Sequence, residues 1–357
     1  MNSLSKLPSS LRQLVILFSP NSTKPNINTK YQKILVTVSI SAIGLSIAFS
    51  YFYTRFKSFR KKRTITKIIE TIPELKSKNV KISDPDYVEM MLQNFVNSGK
   101  ERLQVVSDFD RTISLCSYNG QPCLTSNAVI EMSPFVSSDL RTKFKELREY
   151  YLSIEHNVHM SKAEKLPYMI EWWTKSLDLV VKTQIESANL KDIVRNSTTH
   201  LKNGCKWFFH TLERHEVPLL IFSAGIGNII EEWIVQECGS YKNMTIVSNF
   251  MTFDETTKKI NGFSGSLIHI FNKNEGVLLD TKHEASILNR PNVILLGDSL
   301  GDTDMANGFP SLNHVLKIGF LNDKVEEQLP KYMEAFDIVI IKDDTFIIPN
   351  AILRSII

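Results

Sequence analysis

Short apolar runs that each end in a polar motif are the feature that most constrains how this chain can fold. The most apolar of them, Asn292–Leu296, leads into GDSLGDTDMA, and Val217–Phe222 leads into SAGIGN. Runs that are apolar on both faces are typical of parallel strands covered on both sides. The predicted strands are Leu103–Val106, Val217–Phe222, Thr245–Val247, Asn292–Leu296, Val315–Ile318 and Ile338–Ile341.

Segments with apolar residues at helical spacing lie between these runs. The predicted helices are Asn228–Glu237, Lys282–Leu288, Asp302–Asn307 and Lys324–Tyr332. Alternation of strands and helices predicts an α/β fold with a doubly wound, parallel, Rossmann-like sheet. Ligands of such folds bind beyond the carboxyl ends of the strands, so the polar motifs there form the candidate site.

A long helical stretch interrupts the strand pattern. Apolar residues recur at helical spacing in LRTKFKELREYYLSIE and KAEKLPYMIEWWTKSLDLVV, and strand signals are few. We therefore predict a helical cap at 114–216, inserted between the two parts of a catalytic core, 72–113 and 217–357. At 357 residues the chain is long enough for a core with such an insertion.

Charge is unevenly distributed along the chain. Residues 1–69 contain twelve Lys/Arg and no acidic residue, so residues 70–357 contain 30 Lys/Arg against 38 Asp/Glu. Nucleic-acid backbones are bound through a basic surface on the domain itself, which an acidic globular part does not provide. We therefore expect no nucleic-acid partner. The catalytic domain is expected to be monomeric.

The N-terminal part has the composition of a membrane anchor. Residues 34–53, ILVTVSISAIGLSIAFSYFY, are 20 uncharged residues, and a helix of about 30 Å made from them can cross a bilayer. We predict a transmembrane helix at 34–53, between a basic segment at 1–33 and a basic linker at 54–71. The alternatives are a cleaved signal peptide, for which the apolar run begins late and is long, and a soluble buried helix, which the lack of a polar face disfavours.

The basic flanks favour one orientation of this helix. Five Lys/Arg precede the predicted span, and seven lie in Arg55–Lys67. Because Lys and Arg accumulate on the cytoplasmic side, we expect the catalytic domain to face the cytoplasm, on an endoplasmic-reticulum or a mitochondrial membrane. The four cysteines form no CxxC pair, which fits unpaired thiols in a reducing compartment.

Two aspartates follow the first predicted strand directly. In VVSDFDRT a single residue separates Asp108 from Asp110, so a loop can direct both carboxylates into one site. One can act as nucleophile and metal ligand and the other as acid and base. Alone, a DxD is weak evidence, because a solvated turn with two aspartates is the common alternative.

Two further motifs supply candidates for phosphate binding. Ser223 and the small Ala224 stand where LLIFSAGIGN turns from strand to helix, and hydroxyl and N–H groups there can bind an anion. Lys273 in HIFNKNEG supplies an ammonium group that can hold the phosphate. Taken singly, a turn of small residues is common in packing, and a single lysine is most often a surface residue.

The motif GDSLGDTDMA is the most specific of the four. It puts Asp298 and Asp302 at the carboxyl end of the most apolar predicted strand, where hard oxygen ligands suit Mg²⁺. A strand followed by this pattern is difficult to explain by packing. The motifs in this order, DxDxT, Ser, Lys and GDxxxD, resemble those of the haloacid-dehalogenase superfamily of phosphoryl-transfer enzymes.

A narrower resemblance covers the chain from about Ile72 to its C-terminus. The sequence is similar to the cytosolic 5'-nucleotidase III (pyrimidine 5'-nucleotidase) family, which includes a 7-methylguanosine-phosphate-specific branch. The segments that carry this resemblance are DFDRTIS, SYNGQPC, YMIEWWTKS, FSAGIGN, VSNFMTFDE, FNKNEG and LLGDSLGDTDMA. It implies Mg²⁺-dependent hydrolysis of nucleoside 5'-monophosphates, with CMP, UMP and 7-methyl-GMP as candidate substrates.

The resemblance also implies catalytic and metal-binding roles. Asp108 would be the nucleophile and form an aspartyl-phosphate, and Asp110 would act as acid and then as base. Both would bind Mg²⁺ together with Asp298, Asp110 through its backbone carbonyl.

Other residues of the motifs would support this chemistry. Ser223, Ala224 and Lys273 would bind the phosphoryl group. Asp302 would orient the metal ligands and cap a helix. Thr112, the last residue of DxDxT, would support the site.

In the predicted cap, the resemblance implies a nucleoside pocket. Glu155 would be the carboxylate that recognises the base, and Trp173 and Ser176 of EWWTKS would line the pocket. Without the resemblance, Glu155 reads as one more charge at a helix end. The family commonly has a His-Asn pair near the base, whereas this chain has Asn127-Ala128 there.

Two other functions compete with a 5'-nucleotidase. One is a phosphatase of the same superfamily that acts on a sugar or lipid phosphate at a membrane surface. The aromatic Trp172 and Trp173 with Glu155 suit a planar base better. The other is a non-catalytic, membrane-anchored interaction protein, which the complete set of motif residues disfavours.

Overall fold

A sheet with parallel central strands forms the centre of the protein. The computed structural model describes residues 67–155, 157, 159–273, 287–309 and 312–357. Eight of the described strands form one sheet in the order β1-β10-β9-β8-β2-β5-β6-β7. The strands are β1 (Val80–Ile82), β2 (Leu103–Ser107), β3 (Ser117–Tyr118), β4 (Gln121–Pro122), β5 (Leu219–Ile226), β6 (Met244–Phe253), β7 (Ile260–Ser264), β8 (Asn292–Gly297), β9 (His314–Leu321) and β10 (Ile338–Ile341).

All six predicted strands form, and they pair in parallel. The sheet is nevertheless not wholly parallel, because β1 pairs with β10 and β7 pairs with β6 in antiparallel fashion. Neither edge strand was predicted from the sequence. β1 has only three residues, and β7, with the sequence INGFS, is an edge strand that is only partly buried. Short or polar edge strands give a weak sequence signal.

Helices cover the sheet and form the insertion. The described α-helices are α1 (Ile68–Thr71), α2 (Pro85–Ser98), α3 (Ser126–Met132), α4 (Ser138–Glu155), α5 (Lys162–Lys182), α6 (Leu190–Arg195), α7 (Cys205–Arg214), α8 (Gly227–Glu237), α9 (Val325–Ala335) and α10 (Ile347–Ile356). Single 3₁₀ turns lie at Pro73–Lys76, Lys100–Arg102, Ser187–Asn189 and Leu300–Asp304.

The helix predictions are confirmed at α8 and α9 and wrong at one place. The helix predicted at Asp302–Asn307 is a 3₁₀ turn over Leu300–Asp304. There the amides of Asp302 and Met305 donate to carbonyls three residues back, so the turn is tighter than an α-helix. Most of the predicted helix Lys282–Leu288 lies outside the described residues.

The two ends of the helical insertion lie side by side. Leu115 N–H donates to the carbonyl of His200 at 2.9 Å, and Lys202 N–H donates to the carbonyl of Ile113 at 2.8 Å. The chain therefore leaves the core and returns to it at one place. The insertion is mainly helical but contains the β3–β4 hairpin. Its predicted limits, 114–216, stay a prediction.

Alternate residues of the central strands pack into two apolar clusters, one on each face of the sheet. In β2, Val105 belongs to one cluster and Val106 to the other, and both are fully buried. Burial on both faces explains the continuous apolar runs in the sequence.

The predicted transmembrane helix at 34–53 lies outside the described residues. Within the ranges that are described, no helix has both the length and the apolar character needed to cross a membrane.

Candidate active site

Asp108 stands at the carboxyl end of the central strand β2. Its backbone N–H donates to the carbonyl of Leu296 on β8 at 2.9 Å, so the sheet pairing reaches this residue. Its side chain is almost completely buried and accepts a hydrogen bond of 2.5 Å from Lys273 Nζ. The backbone ladder thus fixes the candidate nucleophile, and an ammonium group holds its carboxylate.

Lys273 connects two carboxylates. Its Nζ lies 2.5 Å from Asp108 Oδ1 and 2.8 Å from Asp302 Oδ1, and all three side chains are buried. Burial alone lowers the pKa of Lys273, but the charges of Asp108 and Asp302 outweigh it and raise that pKa above its ordinary value. Lys273 is therefore firmly protonated.

Asp302 organises the turn that carries Asp298. Its Oδ2 accepts hydrogen bonds from the backbone N–H groups of Asp298 at 3.2 Å and Ser299 at 2.9 Å. A Cβ at Gly297 would fall 2.5 Å from Asp302 Cβ, so this close packing requires glycine. The carboxylate of Asp302 both caps the turn and accepts a hydrogen bond from Lys273.

The carboxylates at this edge fit a hard divalent cation. One oxygen each from Asp108, Asp298 and Asp302 lies within 4.8 Å of the others. Burial, partly offset by Lys273, raises the pKa of Asp108 to about 7. Burial and the nearby charges of Asp108 and Asp302 raise the pKa of Asp298 well above its ordinary value. Such crowded oxygen ligands suit Mg²⁺, whose charge would relieve their repulsion.

The side chain of Asp110 turns toward the helical insertion. Ser126, the first residue of α3, donates its backbone N–H to Asp110 Oδ1 at 2.7 Å and its hydroxyl to Oδ2 at 2.6 Å. Burial raises the pKa of Asp110, and these two hydrogen bonds oppose the rise. The carboxyl group of Asp110 is thus held outside the cluster of the Asp108, Asp298 and Asp302 side chains.

Ser223, Ala224 and Gly225 form an irregular end of β5. The sequence predicted that the strand ends at Phe222, whereas it continues to Ile226, with a shift of register against β6 after Phe222. Ser223 Oγ is buried and accepts the N–H of Gly225 at 3.1 Å. These residues, here called the phosphate loop, lie next to Asp110, because a Cβ at Gly225 would come within 3.0 Å of Asp110 Oδ2.

Asn249 ties the phosphate loop to the segment that leads to Lys273. Its Nδ2 donates to the carbonyls of Ala224 and Ile268, both at 2.9 Å, and its Oδ1 accepts the N–H of Ile268 at 2.9 Å. Asn249 was not predicted as a site residue from the sequence. Its signal was a polar residue inside the apolar segment VSNF, since a buried amide needs partners of this kind.

Of the residues predicted in the cap, Trp173 contacts the core directly. Its Nε1–H donates to the carbonyl of Ala224 at 3.0 Å. The ring packs edge-on against Trp172, which in turn stacks on Tyr151 at 5.8 Å. This contact brings α5 to the phosphate loop.

Glu155 and Ser176 are placed less firmly. Glu155 is half-buried at the end of α4, where burial raises the pKa of its carboxyl against the opposing charges of Arg111 and Lys165. Ser176 is half-buried on α5, three residues after Trp173. Within the described residues, neither side chain is hydrogen-bonded to the core carboxylates.

The loop after Asp110 is locally strained. Arg111 has a φ of 64°, which L-residues rarely adopt, and its N–H donates to Ser114 Oγ at 2.9 Å. Thr112 is completely buried, and its Oγ1 has no hydrogen-bond partner among the described residues. Strain of this kind is frequent at functional sites.

Three features define a phosphatase of the haloacid-dehalogenase type. They are the buried aspartates after a central parallel strand, the lysine between two of them, and the inserted helical segment. The pyrimidine 5'-nucleotidase (UMPH-1) family model matches residues 111–357. The chain belongs to this family and is a 5'-nucleotidase, which hydrolyses nucleoside monophosphates. The resemblance inferred from the motifs is thereby confirmed.

Individual relatives cover most of the chain. The 7-methylguanosine phosphate-specific 5'-nucleotidases of Mus musculus and Homo sapiens are 42% and 41% identical over 288 residues, 81% of this chain and 96% of each relative. The crystal structure of cytosolic 5'-nucleotidase IIIB bound to cytidine is similar, with a TM-score of 0.72 and 35% identity. That match covers 81% of this chain and 97% of that one.

Proposed function

We propose that this protein is a Mg²⁺-dependent 5'-nucleotidase that works through an aspartyl-phosphate and accepts 7-methyl-GMP as well as CMP and UMP. The observation that carries the proposal is the buried Asp108, held at 2.5 Å by Lys273 beside the carboxylates of Asp298 and Asp302. A carboxylate so placed is a candidate nucleophile, and its neighbours can bind the metal and the phosphate.

In the first half of the reaction, Asp108 attacks phosphorus and the bond from phosphorus to the nucleoside O5' breaks. Asp110 gives its proton to that leaving oxygen. Ser223, the N–H groups of the phosphate loop and Lys273 bind the phosphoryl oxygens. When bound by Asp108, Asp298 and the backbone carbonyl of Asp110, Mg²⁺ supplies positive charge that stabilises the transition state.

In the second half, Asp110 is a carboxylate and acts as the base. It takes a proton from water while the water oxygen attacks the phosphorus of the aspartyl-phosphate. The bond from phosphorus to Asp108 then breaks, which releases phosphate and restores the carboxylate. The hydrogen bonds from Ser126 stabilise the charged form of Asp110 in this half.

The choice of base is proposed from the cap. The relatives from Mus musculus and Homo sapiens are named for 7-methylguanosine phosphate, and the similar solved structure holds cytidine. A 7-methylguanine ring is cationic, so stacking on Trp173 would gain a cation–π term of roughly 0.5–2 kcal/mol. Glu155 would accept hydrogen bonds from the N–H edge of the base.

The membrane anchor also remains a proposal. Residues 34–53 are uncharged and are followed by a basic block, which supports a single-pass helix with the catalytic domain on the cytoplasmic side. Full-length protein should resist alkaline carbonate extraction, and protease added to intact organelles should digest the catalytic domain. Extraction by carbonate, or protection of the domain, would contradict this proposal.

Phosphate release from a panel of CMP, UMP, 7-methyl-GMP, GMP and sugar phosphates tests the proposed activity. We expect release from CMP, UMP and 7-methyl-GMP, loss of that release in EDTA, and recovery when Mg²⁺ is added. Activity that is indifferent to EDTA would contradict the metal. Preference for sugar phosphates would contradict the substrate.

A further inference from the structure

Ser126 contacts both oxygens of Asp110. It is completely buried at the start of α3, where its N–H lies 2.7 Å from Oδ1 and its Oγ lies 2.6 Å from Oδ2. Two donors from one residue fix both the position of the carboxyl group and its rotation about the Cβ–Cγ bond.

The Ser126 hydroxyl is itself oriented by the core. Its oxygen accepts the backbone N–H of Ile226, at the end of β5, at 3.3 Å. Because one lone pair is occupied in this way, the hydroxyl hydrogen is directed toward Asp110. A Cβ at Gly225 would fall 1.9 Å from Ser126 Oγ, so the glycine leaves room for this contact. Ser126 therefore links Asp110 to the phosphate loop.

We propose that Ser126 is a positioning residue for proton transfer by Asp110. The inference rests on the proposed function. When the bond from phosphorus to O5' breaks, the carboxyl proton of Asp110 moves to O5', and the carboxylate that remains receives the N–H and O–H of Ser126. When water attacks the aspartyl-phosphate, the same carboxylate takes up the water proton. Asp110 thus returns to its starting state.

The structure provides a matched control one residue away. Thr125 is half-buried, and its hydroxyl oxygen accepts the N–H of Ala128 at 3.3 Å as the cap of α3. Ser126→Ala and Thr125→Ala each remove one hydroxyl from the start of the same helix. Ser126→Ala removes the Oδ2 contact of Asp110, whereas Thr125→Ala leaves it in place.

Two substrates with different leaving groups distinguish a role of Ser126 in positioning Asp110 from a role in packing alone. A nucleoside 5'-oxygen must be protonated as it leaves, whereas p-nitrophenolate leaves as an anion. In acid-quenched single turnovers with Mg²⁺, Ser126→Ala should slow aspartyl-phosphate formation from CMP by about tenfold or more. Formation from p-nitrophenyl phosphate should change by about twofold or less. Thr125→Ala should leave both rates within about twofold.

Two outcomes would overturn this inference. If Ser126→Ala slows aspartyl-phosphate formation equally with both substrates, Ser126 contributes only to packing. If the rate of formation from CMP is unchanged, Ser126 has no role in proton transfer. Wild-type enzyme and Thr125→Ala must first form the aspartyl-phosphate from CMP. If they do not, the proposed function fails, which is a separate result.

A double-mutant cycle checks that Ser126 acts through Asp110. In an Asp110→Asn background, Ser126→Ala should cost about twofold or less in kcat with CMP, because the proton transfer is already lost. The same tenfold loss in both backgrounds would contradict the inference. Thermal unfolding of each variant checks that the fold is intact.

Discussion

The carboxyl edge of the core sheet and the helical insertion differ in how their charged groups are held. At the core edge, Lys273, Asp108 and Asp302 are at most 5% exposed, and Lys273 donates hydrogen bonds to both carboxylates. On the insertion, pairs such as Lys143–Asp139 lie largely in solvent. Losing one partner of a buried pair is costly, whereas an exposed pair contributes about 0–1 kcal/mol.

In the proposed mechanism, this difference assigns phosphoryl transfer to the core edge and recognition of the base to the insertion. Phosphoryl transfer needs groups fixed in position, and the sheet supplies that rigidity through backbone pairing and burial. The proposed contacts to the base are held less rigidly, since Glu155 and Ser176 stand on helices without hydrogen bonds to the core carboxylates among the described residues. We expect core substitutions to affect every substrate and cap substitutions to affect substrates unequally.

The largest effect is expected at Asp108. Asp108→Asn replaces the nucleophile by an amide, which is a poor nucleophile and a weaker ligand of Mg²⁺, and should lower kcat by about a thousandfold or more on every nucleotide. The fold should persist, because the amide oxygen can still accept from Lys273. The matched control is Asp139→Asn on α4, which should keep full activity. Substantial activity of Asp108→Asn would show that the buried core carboxylate is not the nucleophile, and would contradict the comparison between core and insertion.

The next effect is expected at Lys273. Lys273→Met removes the cation between Asp108 and Asp302 and should lower kcat by about a hundredfold. It should also reduce the free energy of unfolding of the metal-free enzyme by about 3 kcal/mol, because two buried carboxylates lose their partner. Chemical denaturation with and without Mg²⁺ measures this loss, and Mg²⁺ should reduce it.

Lys162→Met is the matched control for Lys273→Met. Lys162 pairs with Asp304 at 3.1 Å, and both side chains are about half exposed. We expect its loss to change the free energy of unfolding by about 0–1 kcal/mol. Equal destabilisation by the two variants would remove the contrast between buried and exposed pairs.

The core part of the site was predictable because of a simple property of parallel sheets. Strands β2, β5 and β8 end at the same edge, so Asp108, Ser223 and Asp298 had to lie near one another once these strands were predicted. The edge strands β1 and β7 carried no comparable pattern. β1 is placed by its pairing with β10, which is distant in the sequence, and β7 is a five-residue, partly exposed strand that pairs with its sequence neighbour β6.

Ser126 and Asn249 could not be predicted in the same way. Ser126 reaches Asp110 because the inserted segment folds back on the core, and Asn249 reaches Ala224 across the register shift after Phe222. Both contacts depend on tertiary geometry rather than on periodicity. The role of Trp173 in contacting Ala224 was likewise not visible, because its N–H direction depends on how α5 lies against the core.

A smaller and substrate-dependent effect is expected at Glu155. Glu155→Gln keeps the size of the side chain but removes its charge, and should lower kcat/KM for 7-methyl-GMP by roughly tenfold more than for CMP. Burial raises the pKa of Glu155, so it loses its charge at a higher pH than an ordinary glutamate. The ratio of the KM for 7-methyl-GMP to the KM for CMP should therefore rise as the pH falls, in wild type but not in Glu155→Gln.

Exposed Glu146 on the same helix provides the control for Glu155. Glu146→Gln should leave the ratio of the two kcat/KM values unchanged. If Glu155→Gln lowers kcat/KM equally for both nucleotides, the cap carboxylate does not select the base.

The smallest effect is expected at Trp173. Trp173→Phe keeps an aromatic ring but removes the N–H that donates to Ala224, a loss of about 1 kcal/mol or roughly fivefold in kcat/KM. Trp172→Phe, which alters the neighbouring ring that stacks on Tyr151, should have less effect. A greater loss for Trp172→Phe would show that ring packing within the cap matters more than its contact with the phosphate loop.

Mapping the phosphorylated residue tests the central claim most directly. Enzyme mixed with Mg²⁺ and CMP is quenched in acid, digested, and analysed by mass spectrometry. We predict an acid-stable, hydroxylamine-sensitive phosphoryl group on the peptide that contains Asp108, and none in Asp108→Asn. Phosphate release from CMP without such a group, or with the group on another residue, would contradict the account.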